Sequence, residues 1–202
     1  DTPISVSKCM VHDDCYLDNG RILQGNLIKT TITNIDMDII TKAYDYEAIK
    51  IENCWIYGKG YLPKDIIESA LYFYKGKTTL KGVKGREIEY ALLKEHLNSI
   101  YGMMVTNIIM DVIQYNGLWL TEEPSIEDSL YEYNNSNSRF LSYPWGVFIT
   151  AYARRNLWSG IFALGDDYHY SDTDSLKVSN IAKHLPYFNR YEKTLKPQRL
   201  TN

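Results

Sequence analysis

Two aspartates two residues apart, Asp172 and Asp174, lie in a strand-like segment from Tyr170 to Ser175. Side chains of a strand alternate between its two faces, so an extended segment places both carboxylates on one side. Such neighbours repel one another and favour a hard divalent cation such as Mg²⁺, the usual partner of a substrate phosphate. The pair therefore indicates phosphoryl or nucleotidyl transfer. A turn rich in Asp, Ser and Thr is the open alternative.

The overall charge and hydropathy of the chain say little about whether it binds nucleic acid or a membrane. The 202 residues suffice for one domain or two small ones, and the net charge of −3 does not predict a nucleic-acid partner. Residues 75–94 nevertheless hold six basic against two acidic side chains, which is either a solvated surface or a phosphate-facing patch. No run of about 18 apolar residues exists, so we expect no membrane segment.

The cysteines indicate a reducing compartment. The chain has three cysteines, Cys9, Cys15 and Cys54, and an odd number favours free thiols and a cytosolic setting. A zinc site at Cys9, His12 and Cys15 is the alternative, but His12 would face away from both cysteines in a strand and no fourth ligand is obvious.

The first residue, Asp1, and the polar C-terminal tail suggest an excised portion of something larger.

Periodicity and turn residues predict an α+β fold. Asn19-Gly20 and Asn116-Gly117 predict hairpins, and Thr33 or Asn34 is expected to cap a helix. The other expected elements are strands in 4–32, at 49–55, 168–170 and 176–178, and helices from Pro63 onward, over 83–101 and over 145–164.

Two helical faces carry polar groups that could bind a nucleotide. Lys94, Asn98 and Tyr101 recur at i, i+4 and i+7, so an ammonium, an amide and a phenol share one face, although an ordinary amphipathic helix has the same pattern. In the next long helix Arg154, near Thr150, either binds a phosphate or closes a salt bridge.

Taken together, these segments resemble family B DNA polymerases. Residues 94–102, KEHLNSIYG, resemble the Lys-x-x-x-Asn-Ser-x-Tyr-Gly motif, and residues 170–175, YSDTDS, resemble Tyr-x-Asp-Thr-Asp-Ser. Residues 146–154, GVFITAYAR, are similar to a segment of the protein-primed branch found in phages and linear plasmids. The resemblance covers about residues 30–185, in matching order.

The resemblance implies part of a polymerase palm and helical fingers with β-rich insertions. The implied domains are an insertion of the terminal-protein-contacting type at 1–75, fingers helices at 76–106, a β-hairpin insertion at 107–141 and a palm portion at 142–202. The implied setting is phage or mobile-element DNA replication in the host cytoplasm, and the implied partners are template and primer DNA, deoxynucleotides and a terminal protein.

The resemblance also implies a role for each matched residue. Asp174 would be the main ligand of Mg²⁺ or Mn²⁺, with Asp172 beside it. Lys94 and Lys81 would meet the triphosphate, Tyr101 would lie under the incoming sugar, and Asn98 would line the nascent base pair. The residues implied to contact DNA are Ser99, Gly102, Thr150, Arg154 and Tyr170.

One departure limits what the chain is expected to do alone. The family has a further carboxylate in an upstream Asp-x-x-Ser-Leu-Tyr-Pro type motif, and this sequence has neither that motif, nor the exonuclease carboxylates, nor the Lys-x-Tyr thumb segment. We therefore expect a portion of a polymerase that is inactive by itself. The alternatives are a remnant or module that binds DNA or terminal protein without polymerising, and a nucleotide-sugar transferase, which leaves residues 94–102 unexplained.

Overall fold

The computed structural model describes residues 2–58, 60–137, 139–173 and 175–195. It confirms an α+β fold: the described residues form six α-helices and four two-stranded antiparallel sheets. They divide into two compact units, the first comprising the chain up to Ile56 and from Val147 onward, the second Tyr57–Gly146. In chain order the elements are β1 (Cys9–Asp13), β2 (Tyr16–Asp18), β3 (Arg21–Gln24), β4 (Leu27–Thr30), α1 (Asn34–Ala43), α2 (Lys64–Leu80), α3 (Glu87–Met104), β5 (Val112–Tyr115), β6 (Trp119–Glu122), α4 (Ile126–Asn135), α5 (Tyr143–Leu164), β7 (Tyr168–Asp172), β8 (Ser175–Val178) and α6 (Ile181–Leu195).

The first unit begins with two nested strand pairs. The predicted hairpin is confirmed: β2 pairs with β3 around Asn19 and Gly20, whose φ angles of 46° and 72° suit a tight turn. β1 pairs with β4 outside it. Ile22 of β3 is fully buried, and its carbonyl accepts a hydrogen bond from the Tyr44 hydroxyl at 2.6 Å. The strands are thereby tied to the end of α1.

The predicted cap of α1 is also confirmed. The Thr33 hydroxyl accepts from the backbone N–H of Asp36 at 3.1 Å, and the Asp36 carboxylate accepts from the N–H of Thr33 at 3.3 Å. This reciprocal pair satisfies two donors that a helix start leaves open. Ile35 and Ile39, on the apolar face of α1, are buried.

The strand predicted at 49–55 is wrong. Described residues of that segment form neither helix nor strand, and Ile51 and Trp55 are exposed. Alternating apolar residues make a strand only where another strand accepts their backbone hydrogen bonds, and no described strand pairs with this segment.

The second unit contains a helical hairpin, α2 and α3. Pro63 precedes α2 as predicted. Gly76 allows close packing, because a Cβ there would lie 2.8 Å from Leu93 Cδ1. Phe73 stacks on His96 with ring centroids 5.2 Å apart. The basic residues between the helices are exposed.

The region 107–141 contains a hairpin and a helix. The hairpin predicted at Asn116-Gly117 is confirmed, with Tyr115 paired to Trp119. The polar loop expected from Asn134 is partly wrong, because α4 continues to Asn135; the Ser125 hydroxyl caps α4 by accepting from the Asp128 N–H at 3.2 Å.

In the first unit, the β7–β8 pair packs against α5. Gly160 makes room, because a Cβ there would lie 2.5 Å from Leu176 Cδ1 and 3.5 Å from the Tyr187 hydroxyl. Trp158 and Leu164 are buried on α5. Among the described helices, none combines the length and apolarity that crossing a bilayer requires.

Candidate functional site

The β7–β8 hairpin presents Asp172 at its closed end. β7 ends at Asp172, which pairs with Ser175 across the turn. Thr173 Oγ1 donates to the Asp172 carboxylate at 3.0 Å, and Ser175 Oγ donates to the Asp172 carbonyl at 3.2 Å. Asp172 is exposed, so its carboxylate oxygens can reach a ligand in solvent.

The extended segment expected from Tyr170 to Ser175 is interrupted at Thr173. Thr173 has φ = +49°, so the extended run ends at Asp172 and the chain turns before Ser175. A β-branched residue rarely occupies this left-handed region, and such strain is common at functional turns. Asp174, the expected main metal ligand, lies outside the described residues.

The open end of the hairpin is fastened by the buried carboxylate of Asp167. It accepts hydrogen bonds from Lys183 Nζ at 2.8 Å, His184 Nε2 at 2.8 Å and Asn180 Nδ2 at 2.7 Å. The hydrogen bonds from Lys183, then His184 and Asn180, hold the pKa of Asp167 far below its usual range. Since the Ser179 N–H also donates to the Asp167 carbonyl at 2.9 Å, both strand ends are bound to the start of α6.

In the second unit, α3 presents the predicted polar face. An open groove of about 550 Å³ runs along it, lined by Tyr90, Ala91, Lys94, Glu95, Asn98 and Ser99. Lys94 and Asn98 are exposed, and Lys94 forms no ion pair with any described residue. The structure thus brings together the ammonium and the amide that the spacing predicted.

The other predicted residues of the second unit contribute less clearly to that groove. Ser99 Oγ donates to the Glu95 carbonyl at 2.9 Å, so its hydroxyl is engaged within α3. Tyr101 is 36% exposed and does not line the groove, and Gly102 has open space where a side chain would stand. Lys81, just after α2, is exposed.

Of the two alternatives for Arg154, the salt bridge is present. Arg154 Nε donates to Asp36 Oδ1 at 2.6 Å, and its Nη2 donates to Oδ2 at 2.9 Å. Thr150 Oγ1 donates to the Val147 carbonyl at 2.9 Å. Tyr170, on β7, is 56% exposed.

The predicted residues fall into two groups, one in each unit. Those of the first unit are Thr150, Arg154, Tyr170 and Asp172, and those of the second are Lys81, Lys94, Asn98, Ser99, Tyr101 and Gly102.

Sequence reasoning missed Asp36, Asp167 and His184. Asp36 stands three residues after Thr33, the spacing of a capping box, but its pairing with Arg154, 118 residues away, leaves no local signal. Asp167 and His184 are 17 residues apart and likewise separated in sequence.

The donor chemistry suits a hard cation, but the described residues contain no ready-made centre. Among the described residues, no group of three or more His, Cys, Asp or Glu side chains could hold a metal. Cys9, His12 and Cys15 are described residues and do not form such a group. The Asp172 carboxylate is the oxygen ligand that Mg²⁺ prefers, and a complete site needs further oxygens.

The chain is distantly similar to phage DNA polymerases. It is 29% identical over 166 residues to the DNA polymerases of Bacillus phages Nf and M2, and 29% identical over 157 residues to that of Bacillus phage phi29. The matches cover 77–81% of this chain but only 25–26% of each relative, so the chain spans about a quarter of the length of these relatives. No family model and no solved structure matches it.

Proposed function

We propose that the chain is the insertion, fingers and partial palm portion of a protein-primed family B DNA polymerase. In the intact enzyme it would take part in joining a deoxynucleotide to a primer 3′-hydroxyl or to a terminal protein during phage or mobile-element replication. The observation that carries this proposal is the similarity to phage DNA polymerases over about four fifths of the chain. The motif resemblances at residues 94–102 and 170–175 support it.

Asp172 and Asp174 are the ligands that we assign to the divalent metal. Bound Mg²⁺ or Mn²⁺ would supply charge stabilisation at the reacting phosphate and at the leaving pyrophosphate. Asp172 is presented for this task by a turn whose two flanking strands are fastened to α6 through Asp167. A fixed carboxylate needs little rearrangement when the ligand arrives.

The α3 groove is the triphosphate and base-pair surface in this proposal. Lys94 is an exposed ammonium without a carboxylate partner in the described chain, so its charge is available to phosphate oxygens. Asn98 lies one turn further along the groove. Tyr101 then contributes its ring to the sugar site, next to the open space at Gly102.

The remaining polar residues would guide DNA. Thr150, Arg154 and Tyr170 belong to the same unit as Asp172, and we assign them to the primer and template. Ser99 and Gly102 are assigned to the nascent duplex, and Lys81 to a second phosphate contact. Residues 1–75 would contact a terminal protein, the hairpin at 107–141 would help to encircle DNA, and the whole would act in the host cytoplasm.

Triphosphate binding tests the proposal at the α3 groove. Replacing Lys94 with alanine removes a charge-assisted contact, so we expect affinity for a deoxynucleoside triphosphate with Mg²⁺ to fall about tenfold or more in isothermal titration. Lys64→Ala is the matched control, because it removes the same charge from an exposed site on α2 that is paired with Glu68. Equal affinity for the Lys94 and Lys64 variants would remove Lys94 from the nucleotide site.

A module that binds DNA or terminal protein without polymerising is the second candidate. It would use the same exposed cations, Lys94 and Arg154, and would not need the carboxylates of a two-metal centre. Primer extension after addition of the upstream and thumb portions of a polymerase separates the two functions, because a module would bind DNA and give no extension.

A further inference from the structure

The ion pair between α1 and α5 presents one guanidinium in a fixed orientation. Both carboxylate oxygens of Asp36 accept from Arg154, at 2.6 and 2.9 Å. The side chain of Asp36 is 13% exposed and that of Arg154 is 45% exposed. The carboxylate is therefore sheltered, whereas part of the guanidinium reaches solvent. A two-pronged pair of this kind fixes the plane of the guanidinium as well as its position.

Asp36 is itself held in place from the other side. The Thr33 hydroxyl and N–H both donate to Asp36 Oδ2, at 2.8 and 3.3 Å. Burial alone would raise the pKa of Asp36, but the hydrogen bonds from Arg154 and Thr33 outweigh it and the pKa lies below its usual range. The carboxylate is consequently ionised at neutral pH and anchored to the first turn of α1.

The pair leaves one edge of the guanidinium unused. Arg has five N–H donors, and Asp36 takes the Nε proton and one Nη2 proton. The second Nη2 proton and one Nη1 proton form the fork at the end of the guanidinium, which faces away from Asp36, and the other Nη1 proton points to the Cδ side. Within the described chain, no residue accepts a hydrogen bond from that edge. Its fork geometry matches a phosphate.

We propose that Asp36 is a positioning residue that holds Arg154 with its free edge ready for a phosphate of the nucleic-acid backbone. This inference rests on the proposed function, because it takes Arg154 as a DNA contact. It has an unusual consequence: removing a negative charge from the protein should weaken DNA binding. A carboxylate that merely competes with DNA for Arg154 would have the opposite effect, since its removal frees a positive charge.

Fluorescence anisotropy of a labelled primer–template DNA with the 202-residue chain measures the sign of this effect. We expect Asp36→Asn to weaken binding about fivefold and to lower the steepness of the salt dependence by about one phosphate contact. Asp38→Asn is the matched control, because it removes the same charge from an exposed site on the same helix. It should leave affinity unchanged or raise it slightly.

A second variant separates positioning from folding. Arg154→Lys keeps the charge and leaves the Thr33–Asp36 cap intact, but lysine cannot form the two-pronged pair. It should lose affinity to the same extent as Asp36→Asn, and the double variant should lose little more, because both changes break one interaction. A destabilised fold would lower the melting temperature and leave the salt dependence unchanged, which would count against the inference.

The possible failures are distinguishable. If Asp36→Asn binds as tightly as Asp38→Asn or more tightly, Asp36 only competes with DNA; positioning is overturned and the polymerase proposal stands. If the unaltered chain does not bind primer–template DNA, or if Arg154→Ala binds it equally well, the DNA contact assigned to Arg154 is overturned and the inference falls with it.

Discussion

Single residues determine the conformation of the β7–β8 hairpin and its attachment to α6. Thr173 takes a left-handed conformation that costs a β-branched residue energy, and that cost is tolerated only where neighbouring contacts enforce it. Asp167 holds the other end of the hairpin in place through Asn180, Lys183 and His184. The turn at Thr173 and the Asp167 hydrogen bonds therefore lie at the two ends of the hairpin that presents Asp172.

The anchor predicts a pH dependence of stability. Asp167→Asn should lower the melting temperature near pH 7, because an amide cannot replace the ionised acceptor of Lys183 and His184. The pKa of Asp167 is depressed in the folded chain, so its contribution is complete above the unfolded value near 3.8 and is lost as the pH falls below it. The difference in melting temperature between the unaltered chain and the variant should therefore shrink below about pH 4.

Circular dichroism melts over a pH series measure this difference. Asp166→Asn is the control, because Asp166 is an exposed neighbour that accepts none of those hydrogen bonds. A melting difference for Asp167→Asn that stays constant down to about pH 3 would show that the ionised carboxylate is not what stabilises the hairpin base.

At the level of elements, the packing of β8 on α5 involves one glycine. A Cβ at Gly160 would meet Leu176 Cδ1 at 2.5 Å, so with any other residue there the Leu176 side chain would have to shift. In a helix interior alanine is more favourable than glycine by about 0.5–1 kcal/mol, so in Gly160→Ala the steric clash and the helix propensity act in opposite directions.

A double-mutant cycle separates those two effects. Gly160→Ala should destabilise the chain by about 1 kcal/mol, because Leu176 must move from a packed position. In a Leu176→Ala background the same change should instead stabilise, by about 0.5 kcal/mol, since only the helix preference remains. Urea unfolding measures both, with Gly102→Ala as a control in open space on α3. The same effect of Gly160→Ala in both backgrounds would contradict close packing of Leu176.

Elements with local signals were predictable and those that depend on distant partners were not. Asn19-Gly20 and the Thr33 cap each specify their structure within a few residues, and both are confirmed. α6 was missed because Pro186 lies inside it, and the strand expected around Ile51 lacks a partner. In the candidate site, the Lys94 face followed from helical spacing, whereas the Arg154–Asp36 pair joins residues 118 apart and has no local signature.

At the scale of the whole molecule, polymerase chemistry would have to be assembled from separate parts. The α3 groove and the β7–β8 hairpin belong to different compact units, and the match of 166 residues to phage polymerases is long enough to include residues of both units. With a net charge of −3, the proposed DNA contacts would depend on local groups such as Arg154 rather than on the overall field of the chain. The chain also matches only a quarter of each relative.

Metal-dependent primer extension tests the central claim most directly. The chain would be combined with the upstream and downstream portions of the Bacillus phage Nf polymerase, which the resemblance implies to carry the second palm carboxylate and the Lys-x-Tyr thumb segment. The assembly would be incubated with primer–template DNA, deoxynucleotides and Mg²⁺. We predict extension that Asp174→Ala abolishes, by about 10³-fold or more, without a change in melting temperature, while Asp166→Ala extends normally. Extension that persists in the Asp174→Ala variant, or none from a folded and DNA-bound assembly, would contradict the assignment of this chain to a polymerase metal centre.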